Sequence, residues 1–197
     1  MKTIIKLYIS LISLSAYCQE GVIVPLNYSS DLDLLNDYYV KDIDNEFDSY
    51  VGTWQGTWGT GINAKTFILK VEKITQHFFS QPDNGYYYSD ILIGKYTVLD
   101  ASESIINSTM NVTNPNLAKL ISKRTFGNRC YFTYNDTDLC NIYGTVGLKL
   151  DISNPNILNY IYRYEEFWLL EDCQYYGSPN GIPIPIPTIA ITLTKVN

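Results

Sequence analysis

Residues 47–58 read Phe-Asp-Ser-Tyr-Val-Gly-Thr-Trp-Gln-Gly-Thr-Trp, and this stretch decides the fold. In a strand, Gly52, Trp54, Gly56 and Trp58 point to one face, and the opposite face is mostly polar. One apolar and one polar face is typical of an antiparallel strand. Glycine inside a strand costs stability unless another group approaches the backbone closely, so we expect the Trp rings or a neighbouring strand against these glycines.

The residues just before this strand carry a helical pattern. Ile43, Phe47, Tyr50 and Val51 are spaced so that they form one apolar stripe on a helix. Asp44 is suited to cap its first turn, because a carboxylate can accept hydrogen bonds from the free N–H groups there. The pattern predicts a short helix that leads into the first strand.

Alternating apolar and polar residues predict seven further strands. We place them near residues 66–76, 86–98, 103–110, 129–134, 141–152, 157–165 and 188–196. The pattern slips near Lys73, which indicates a bulge. Within the long connection 111–128 we expect residues 117–121 to form one or two helical turns on the barrel mouth.

This pattern predicts an all-β protein made of one antiparallel, up-and-down β-barrel of about eight strands. The connections leave no room for the crossover helices that parallel strands need. Eight antiparallel strands can close into a barrel without free edges. A two-sheet β-sandwich uses the same alternation and is the structural alternative.

A short helix followed by a Gly-x-Trp strand, as at Gly52 to Trp54, resembles the start of lipocalin-like (calycin) barrels. In that superfamily the helical turn plugs one end of the barrel and the Trp packs just inside it. Such barrels often close this end with a basic side chain over the Trp. If the last strand pairs with the first, Lys195 shares a face with Ile191 and Leu193, so the resemblance implies that Lys195 covers Trp54.

Composition limits the function classes. The chain has 197 residues, enough for one domain, and a formal net charge of −6. This charge argues against binding to nucleic acid or to anionic membrane surfaces, which attract an excess of Lys and Arg. The 18 tyrosines fit half-buried sheet surfaces. No segment after the N-terminus is long and apolar enough to be a transmembrane helix.

Residues 1–18 have the features of an export signal. Lys2 and Lys6 supply positive charge, an apolar stretch follows, and Cys18 is a small residue before a cut at Gln19. Lipoprotein processing at Cys18 is the alternative, but Tyr17 is bulky where that processing needs a small residue. We therefore expect a periplasmic or secreted protein with an acidic lead-in at 19–42 and a barrel domain at 43–197.

Three cysteines remain after the signal is removed. Cys130 alternates with apolar residues in a strand-like run and is expected to be buried. Cys140 and Cys173 each follow an acidic, loop-like stretch, so we favour a disulfide between them. All three thiols remaining reduced is the alternative.

The layout is similar to an uncharacterised family of secreted Gram-negative bacterial proteins, a domain of unknown function. The export signal and several motifs carry this resemblance: Lys-Asp-Ile-Asp-Asn-Glu at 41–46, Val-Gly-Thr-Trp-Gln-Gly-Thr-Trp at 51–58, Leu-Cys at 139–140, Glu-Asp-Cys at 171–173, and Ile-Thr-Leu-Thr-Lys at 191–195. The resemblance implies no activity. It supports the pairing of Cys140 with Cys173.

We predict no catalytic residues, no metal site and no cofactor. Asp42 and Asp44 have alternate spacing, but the Gly and the terminal Glu of a calcium loop are missing. The one histidine, His77, lies beside two phenylalanines and has no nucleophile motif near it. Glu165 and Glu166 are adjacent and would face opposite sides of a strand, so the pair cannot flank one glycosidic bond.

The leading hypothesis is a non-enzymatic, monomeric barrel that binds a small, partly apolar ligand inside it. The expected lining consists of residues on apolar strand faces: Trp58, Leu69, Val146, Leu148, Tyr160 and Tyr162. The alternative is an envelope or extracellular interaction protein, or a structural one, with a filled core and no ligand. A cavity of several hundred cubic ångströms among these residues would favour the first. A packed interior with exposed Tyr and Ile at 175–187 would favour the second.

Overall fold

The computed structural model describes residues 21–27, 37–81, 85–165, 169–179 and 181–196. Strands dominate this part of the chain, and its 3₁₀ helices are single turns at Gly61–Asn63, Pro115–Leu117 and Thr137–Leu139. The strands are β1 (Ile23–Pro25), β2 (Tyr38–Lys41), β3 (Gly52–Trp58), β4 (Lys65–Ser80), β5 (Tyr86–Leu99), β6 (Ile105–Ser108), β7 (Leu120–Ser122), β8 (Thr125–Phe126), β9 (Arg129–Asp136), β10 (Ile142–Leu150), β11 (Ile157–Tyr164) and β12 (Ile191–Val196).

Eight of these strands form a closed antiparallel barrel. Around the barrel they follow the chain in the order β3, β4, β5, β7, β9, β10, β11 and β12, and β12 pairs with β3 to close it. This arrangement confirms the predicted up-and-down barrel and excludes the sandwich, in which the first and last strands need not meet.

The remaining strands extend the sheet outside the barrel. β6 pairs with β5, β8 pairs with β9, and the lead-in supplies β1 and β2, which run parallel to each other. β2 also runs parallel to the first part of β5. The bulge predicted near Lys73 is present in β4, between Ile74 and His77.

The prediction of helical turns at 117–121 was wrong for most of that segment. Only Pro115–Leu117 forms a single 3₁₀ turn, and Leu120 already begins β7. β7 hydrogen-bonds to β5 on one side and to β9 on the other, so this three-residue strand is part of the barrel wall. Pairing on both sides decides its conformation, and local propensity does not show that.

The first and last barrel strands meet as predicted. Lys195 lies opposite Trp54 in the β12–β3 ladder, and its Nζ is 5.1 Å from the centre of the fully buried Trp54 ring. A Cβ at Gly52 would lie 2.7 Å from Lys195 Cε, and one at Gly56 would lie 2.7 Å from a methyl carbon of Leu193. The glycines therefore leave room for side chains of the neighbouring strand.

The predicted N-terminal helix is absent, and the segment before β3 forms a series of turns. Asn45 has a φ of 55°, in the left-handed region, which interrupts a right-handed helix. The capping residue is Asp42 and not Asp44: its buried carboxylate accepts from the N–H groups of Glu46 (2.7 Å) and Phe47 (3.1 Å).

These turns still plug the barrel end where β3 begins. Phe47 and Tyr50 are at most 1% exposed and belong to the core. Trp54 Nε1 donates to the backbone carbonyl of Tyr50 (2.8 Å), and Thr125 Oγ1 of β8 donates to the Glu46 carboxylate. The plug is therefore tied to both β3 and β8.

We expect Lys195→Met to lower the free energy of unfolding by about 0.5–2 kcal/mol, because it removes the cation from a buried indole but keeps the aliphatic stem. Lys65→Met is the matched control, since Lys65 Nζ lies 5.9 Å from the half-buried Trp58 ring and the residue is exposed. Urea unfolding followed by Trp fluorescence measures both. Equal losses in the two variants would contradict a specific role for the Lys195–Trp54 contact.

Candidate binding surfaces

The predicted ligand lining is packed into the barrel core. Trp58 is half-buried. The other five members face inward and are at most 6% exposed: Leu69, Val146, Leu148, Tyr160 and Tyr162. Tyr160 and Tyr162 contact other core rings: Phe67 lies 5.4 Å from Tyr160 and Tyr134 lies 5.8 Å from Tyr162, centre to centre. The predicted residues thus meet, and they fill the space between them.

A proline-rich segment before β12 covers the other end of the barrel. Ile186 is 2% exposed, and Ile182 and Ile184 pack against the core. Tyr160 Oη donates to the backbone carbonyl of Pro187 (3.0 Å), which joins this segment to β11. The isoleucines of residues 175–187 are therefore covered, although Tyr176 is 53% exposed.

The predicted disulfide between Cys140 and Cys173 is present. It joins the loop between β9 and β10 to the segment between β11 and β12. Cys130 is a free, buried thiol, as expected, and donates to Ser122 Oγ (3.1 Å). Burial raises the pKa of Cys130 to about 12, so the thiol stays protonated and unreactive at neutral pH.

Three buried tyrosine hydroxyls have no hydrogen-bond partner within the described part of the chain. They belong to Tyr50, Tyr96 and Tyr162. The hydroxyl of Tyr134, a neighbour of Tyr96, donates to Asp136 instead (2.9 Å). Burial raises the pKa of Tyr96 and of Tyr162 to about 12. A buried hydroxyl without a partner is unfavourable by about 1–3 kcal/mol.

An open groove of about 550 Å³ lies on the outer face of β9, β10 and β11. Of the predicted lining, only Leu148 and Tyr160 contribute to it. Cross-strand pairing arranges its side chains in rows, because directly opposed residues on adjacent strands share a face. In the middle row, Gly147 lies between Tyr131 and Ile161.

Gly147 makes the floor of the groove. A Cβ there would lie 3.2 Å from Ile161 Cγ2 and 3.4 Å from Tyr131 Cε1, so bare backbone is flanked by a ring and a branched aliphatic chain. Ile161 is 41% exposed, although it lies in the middle of a strand. The surface at this row is apolar and open to solvent.

Polar rows lie on both sides of Gly147. On one side Arg129 pairs with Lys149, which in turn pairs with Asn159. On the other side Thr145 pairs with Arg163. The groove therefore has an apolar middle between two polar ends.

Sequence reasoning missed this groove because it looked for a site only on apolar strand faces. The signal was in the outward positions of three strands that are neighbours along the chain. Tyr131 and Ile161 are large apolar residues at outward-facing positions, where polar residues are expected. Gly147 lies between them in the ladder.

The residues considered for chemistry have structural partners. Asp42 accepts from backbone N–H groups and lies 2.7 Å from Lys73 Nζ. Burial lowers the pKa of His77, whose ring packs edge-on against Phe79 at 4.7 Å. Glu165 accepts from Thr145 Oγ1 (2.8 Å), and Glu166 lies outside the described residues. The described residues contain no cluster of three or more His, Cys, Asp or Glu side chains suited to a metal ion.

One family model matches residues 1–195, which is nearly the whole chain, and its description assigns no function. No curated protein and no solved structure gives a significant match. Within the described residues, no helix has the length and apolar character needed to cross a bilayer.

We expect a chain that begins at Gln19 to show no rapidly reacting thiol when folded. It should show one in denaturant and three in denaturant with reductant, because Cys130 is buried and the other two cysteines are paired. Titration with a thiol reagent gives these counts. The Cys140→Ser/Cys173→Ser variant should lose about 3–4 kcal/mol of stability in the chain-entropy view, since it opens a loop with a sequence separation of 33. Three thiols in denaturant alone would disprove the pairing in solution.

We expect stability to fall between about pH 10 and 12. An unfolded tyrosine loses its proton near pH 10, whereas Tyr96 and Tyr162 hold theirs to about 12. The unfolded state binds fewer protons in this window, so each tyrosine lowers stability by up to about 1.4 kcal/mol per pH unit.

Tyr96→Phe tests this at a single position. It should flatten the alkaline decline and leave stability at pH 7 equal or higher, because its hydroxyl has no partner within the described chain. Tyr160→Phe is the comparison at pH 7 and should lose about 1 kcal/mol there, since its hydroxyl bonds to Pro187; burial also raises the pKa of Tyr160, so this variant should flatten the alkaline decline as well. Circular dichroism during urea unfolding at several pH values measures both. An unchanged alkaline slope in Tyr96→Phe would refute the assignment.

Proposed function

For this chain, which belongs to the family of unknown function DUF6705, we propose an exported, non-enzymatic role in binding a small, partly apolar ligand. The binding site is the groove on the outer face of β9, β10 and β11, and not the barrel interior. The filled core acts as a rigid support for this surface.

One observation carries this proposal: an open groove lies on the outside of the barrel. The groove holds about 550 Å³, within the range of small-molecule sites, and it combines an apolar floor with polar ends. The inward residues predicted to line a ligand cavity are buried against one another. A rigid strand support also favours binding, because little conformational entropy is lost when the ligand docks.

Three features support export. The N-terminal segment has the charge, the apolar stretch and the small residue of a cleavable signal. The Cys140–Cys173 disulfide fits an oxidising compartment such as the periplasm or the extracellular space. The resemblance to secreted Gram-negative proteins favours a bacterial envelope or extracellular location.

The groove's own chemistry favours binding over catalysis. Among the described residues that line it, the one carboxylate, Glu165, accepts a hydrogen bond from Thr145, and there is no histidine or cysteine. General acid–base catalysis most often uses a histidine, and nucleophilic catalysis uses a nucleophile activated by an adjacent base or a lowered pKa. Tyr131 and Ile161 instead present contact area.

A second candidate is a ligand inside the barrel, and the partnerless hydroxyls of Tyr50, Tyr96 and Tyr162 favour it. A bound molecule with polar groups would satisfy them and recover the free energy that their burial costs. Its entry would require the barrel to open, because the proline-rich segment and the plug cover the two ends.

Native mass spectrometry of the protein purified from its own host tests these proposals. We expect a co-purifying small molecule whose mass disappears from the Tyr131→Ala/Ile161→Ala variant. It should remain in the control Gln55→Ala/Thr194→Ala, which changes an opposed pair on the outer β3–β12 face. The mature chain should begin at Gln19.

Two outcomes would redirect the assignment. A ligand that persists in the Tyr131→Ala/Ile161→Ala variant places the site in the interior. A clean apo mass, unshifted by added lipids or aromatic compounds, ends the small-ligand proposal and leaves an interaction or structural role with a filled core.

A further inference from the structure

We infer that the outer groove binds an organic anion with a flat apolar body, with its acidic group at the Arg129–Lys149 end. This inference rests on the proposed function and adds the chemical class and the orientation of the ligand. The row of paired residues around Gly147 supplies the apolar contact, and the row around Lys149 supplies the charge.

The two cations of this row are brought together by the β9–β10 register. Arg129 and Lys149 are directly opposed in the ladder, so their side chains leave the sheet side by side on the outer face. Both are exposed and line the groove. Asn159 completes the row on β11 and can add an amide donor to a bound carboxylate.

These cations form no salt bridge with the described residues, although hydrogen bonds from Ser153 and Asn154, together with the charge of Lys149, lower the pKa of the Asp151 carboxyl. Four other lysines lie within 2.8 Å of carboxylates: Lys70, Lys73, Lys95 and Lys119. Within the described chain, Arg129 and Lys149 have no carboxylate within 4 Å. Asp151, the next acidic residue, accepts from Ser153 N, Ser153 Oγ and Asn154 N. Two adjacent cations outside any salt bridge of the described residues, in a chain of net charge −6, favour an anion at this end of the groove.

Tyr131 is held as a flat wall beside the groove floor. Phe126 contacts its ring edge-on at 6.1 Å, and Arg129 Nη1 donates to its hydroxyl (3.4 Å). Ile161 lies on the other side of the buried Gly147 backbone, and the exposed parts of Tyr131 and Ile161 offer apolar contact to a ring or another flat apolar body.

The other end of the groove sets the orientation. Thr145 is four residues from Lys149, so this end is about 13–14 Å away along the strand. Here the Glu165 carboxylate accepts from Thr145, which lies opposite Arg163, so this end carries one carboxylate as well as one cation. An anion is repelled by this carboxylate and attracted by the two cations at the opposite end. The acidic group of the ligand therefore lies at Arg129 and Lys149.

Two matched probes, naphthoate and naphthamide, test the inference in the purified full chain by isothermal titration at low ionic strength. The two share a flat apolar body and differ in charge. We expect naphthoate to bind about tenfold more tightly than naphthamide, as charge-assisted hydrogen bonds provide. Added salt should reduce this difference.

Substitutions of basic residues test which cations bind the carboxylate of naphthoate. In Arg129→Gln/Lys149→Gln, naphthoate should bind only as well as naphthamide. The control Lys41→Gln/Lys70→Gln removes two exposed cations elsewhere, so it has the same net charge and should keep the preference. Arg163→Gln should change naphthoate affinity by about twofold or less, because Arg163 lies at the other end of the groove, where the Glu165 carboxylate repels the acidic group.

Equal binding of the two probes to the unaltered protein would overturn the inference, and so would a preference that survives Arg129→Gln/Lys149→Gln. No binding of either probe would also overturn it. The mass of the host-derived ligand is an independent readout: a neutral ligand lost from the Tyr131→Ala/Ile161→Ala variant would refute the anion class and leave the proposed function standing.

Discussion

The structure depends on the pairing of its first and last barrel strands. A closed barrel needs β3 and β12 to approach closely, and side chains inside that joint would keep them apart. Gly52 and Gly56 carry no side chains where Lys195 and Leu193 cross over them, so the ladder can form. The close pairing of β3 and β12 also puts the Lys195 ammonium over the Trp54 ring. The same ring donates its Nε1 hydrogen to the Tyr50 carbonyl of the plug. Barrel closure, the burial of Trp54 in the core and the attachment of the plug therefore all depend on the close pairing of β3 with β12.

Period-two alternation predicted most of this fold. It placed β3 with the observed bounds and indicated the long β4 and β5 strands, because a half-buried strand shows its buried face in every second residue. It failed where other forces decide. A positive φ at Asn45 and capping by Asp42 prevented the helix before β3, and pairing on both sides made residues 120–122 a strand.

The candidate site was less predictable than the fold. Alternation shows that Val146 and Tyr160 face inward, but it cannot show whether opposing side chains leave space or fill it. That depends on the summed volumes of residues far apart in sequence. The groove depends on register, since Tyr131 and Ile161 become neighbours only when both strands pair across Gly147. The sequence held these residues, and only the ladder brought them together.

The short β7 has a consequence for access to the interior. It holds β5 to β9 with three residue pairs on one side and two on the other, whereas the neighbouring ladders are much longer. Segments with few hydrogen bonds open first, so we expect the barrel wall to open most easily at β7, between β5 and β9. A guest molecule, or solvent reaching the buried tyrosines, would then enter sideways between β5 and β9, while both capped ends stay shut.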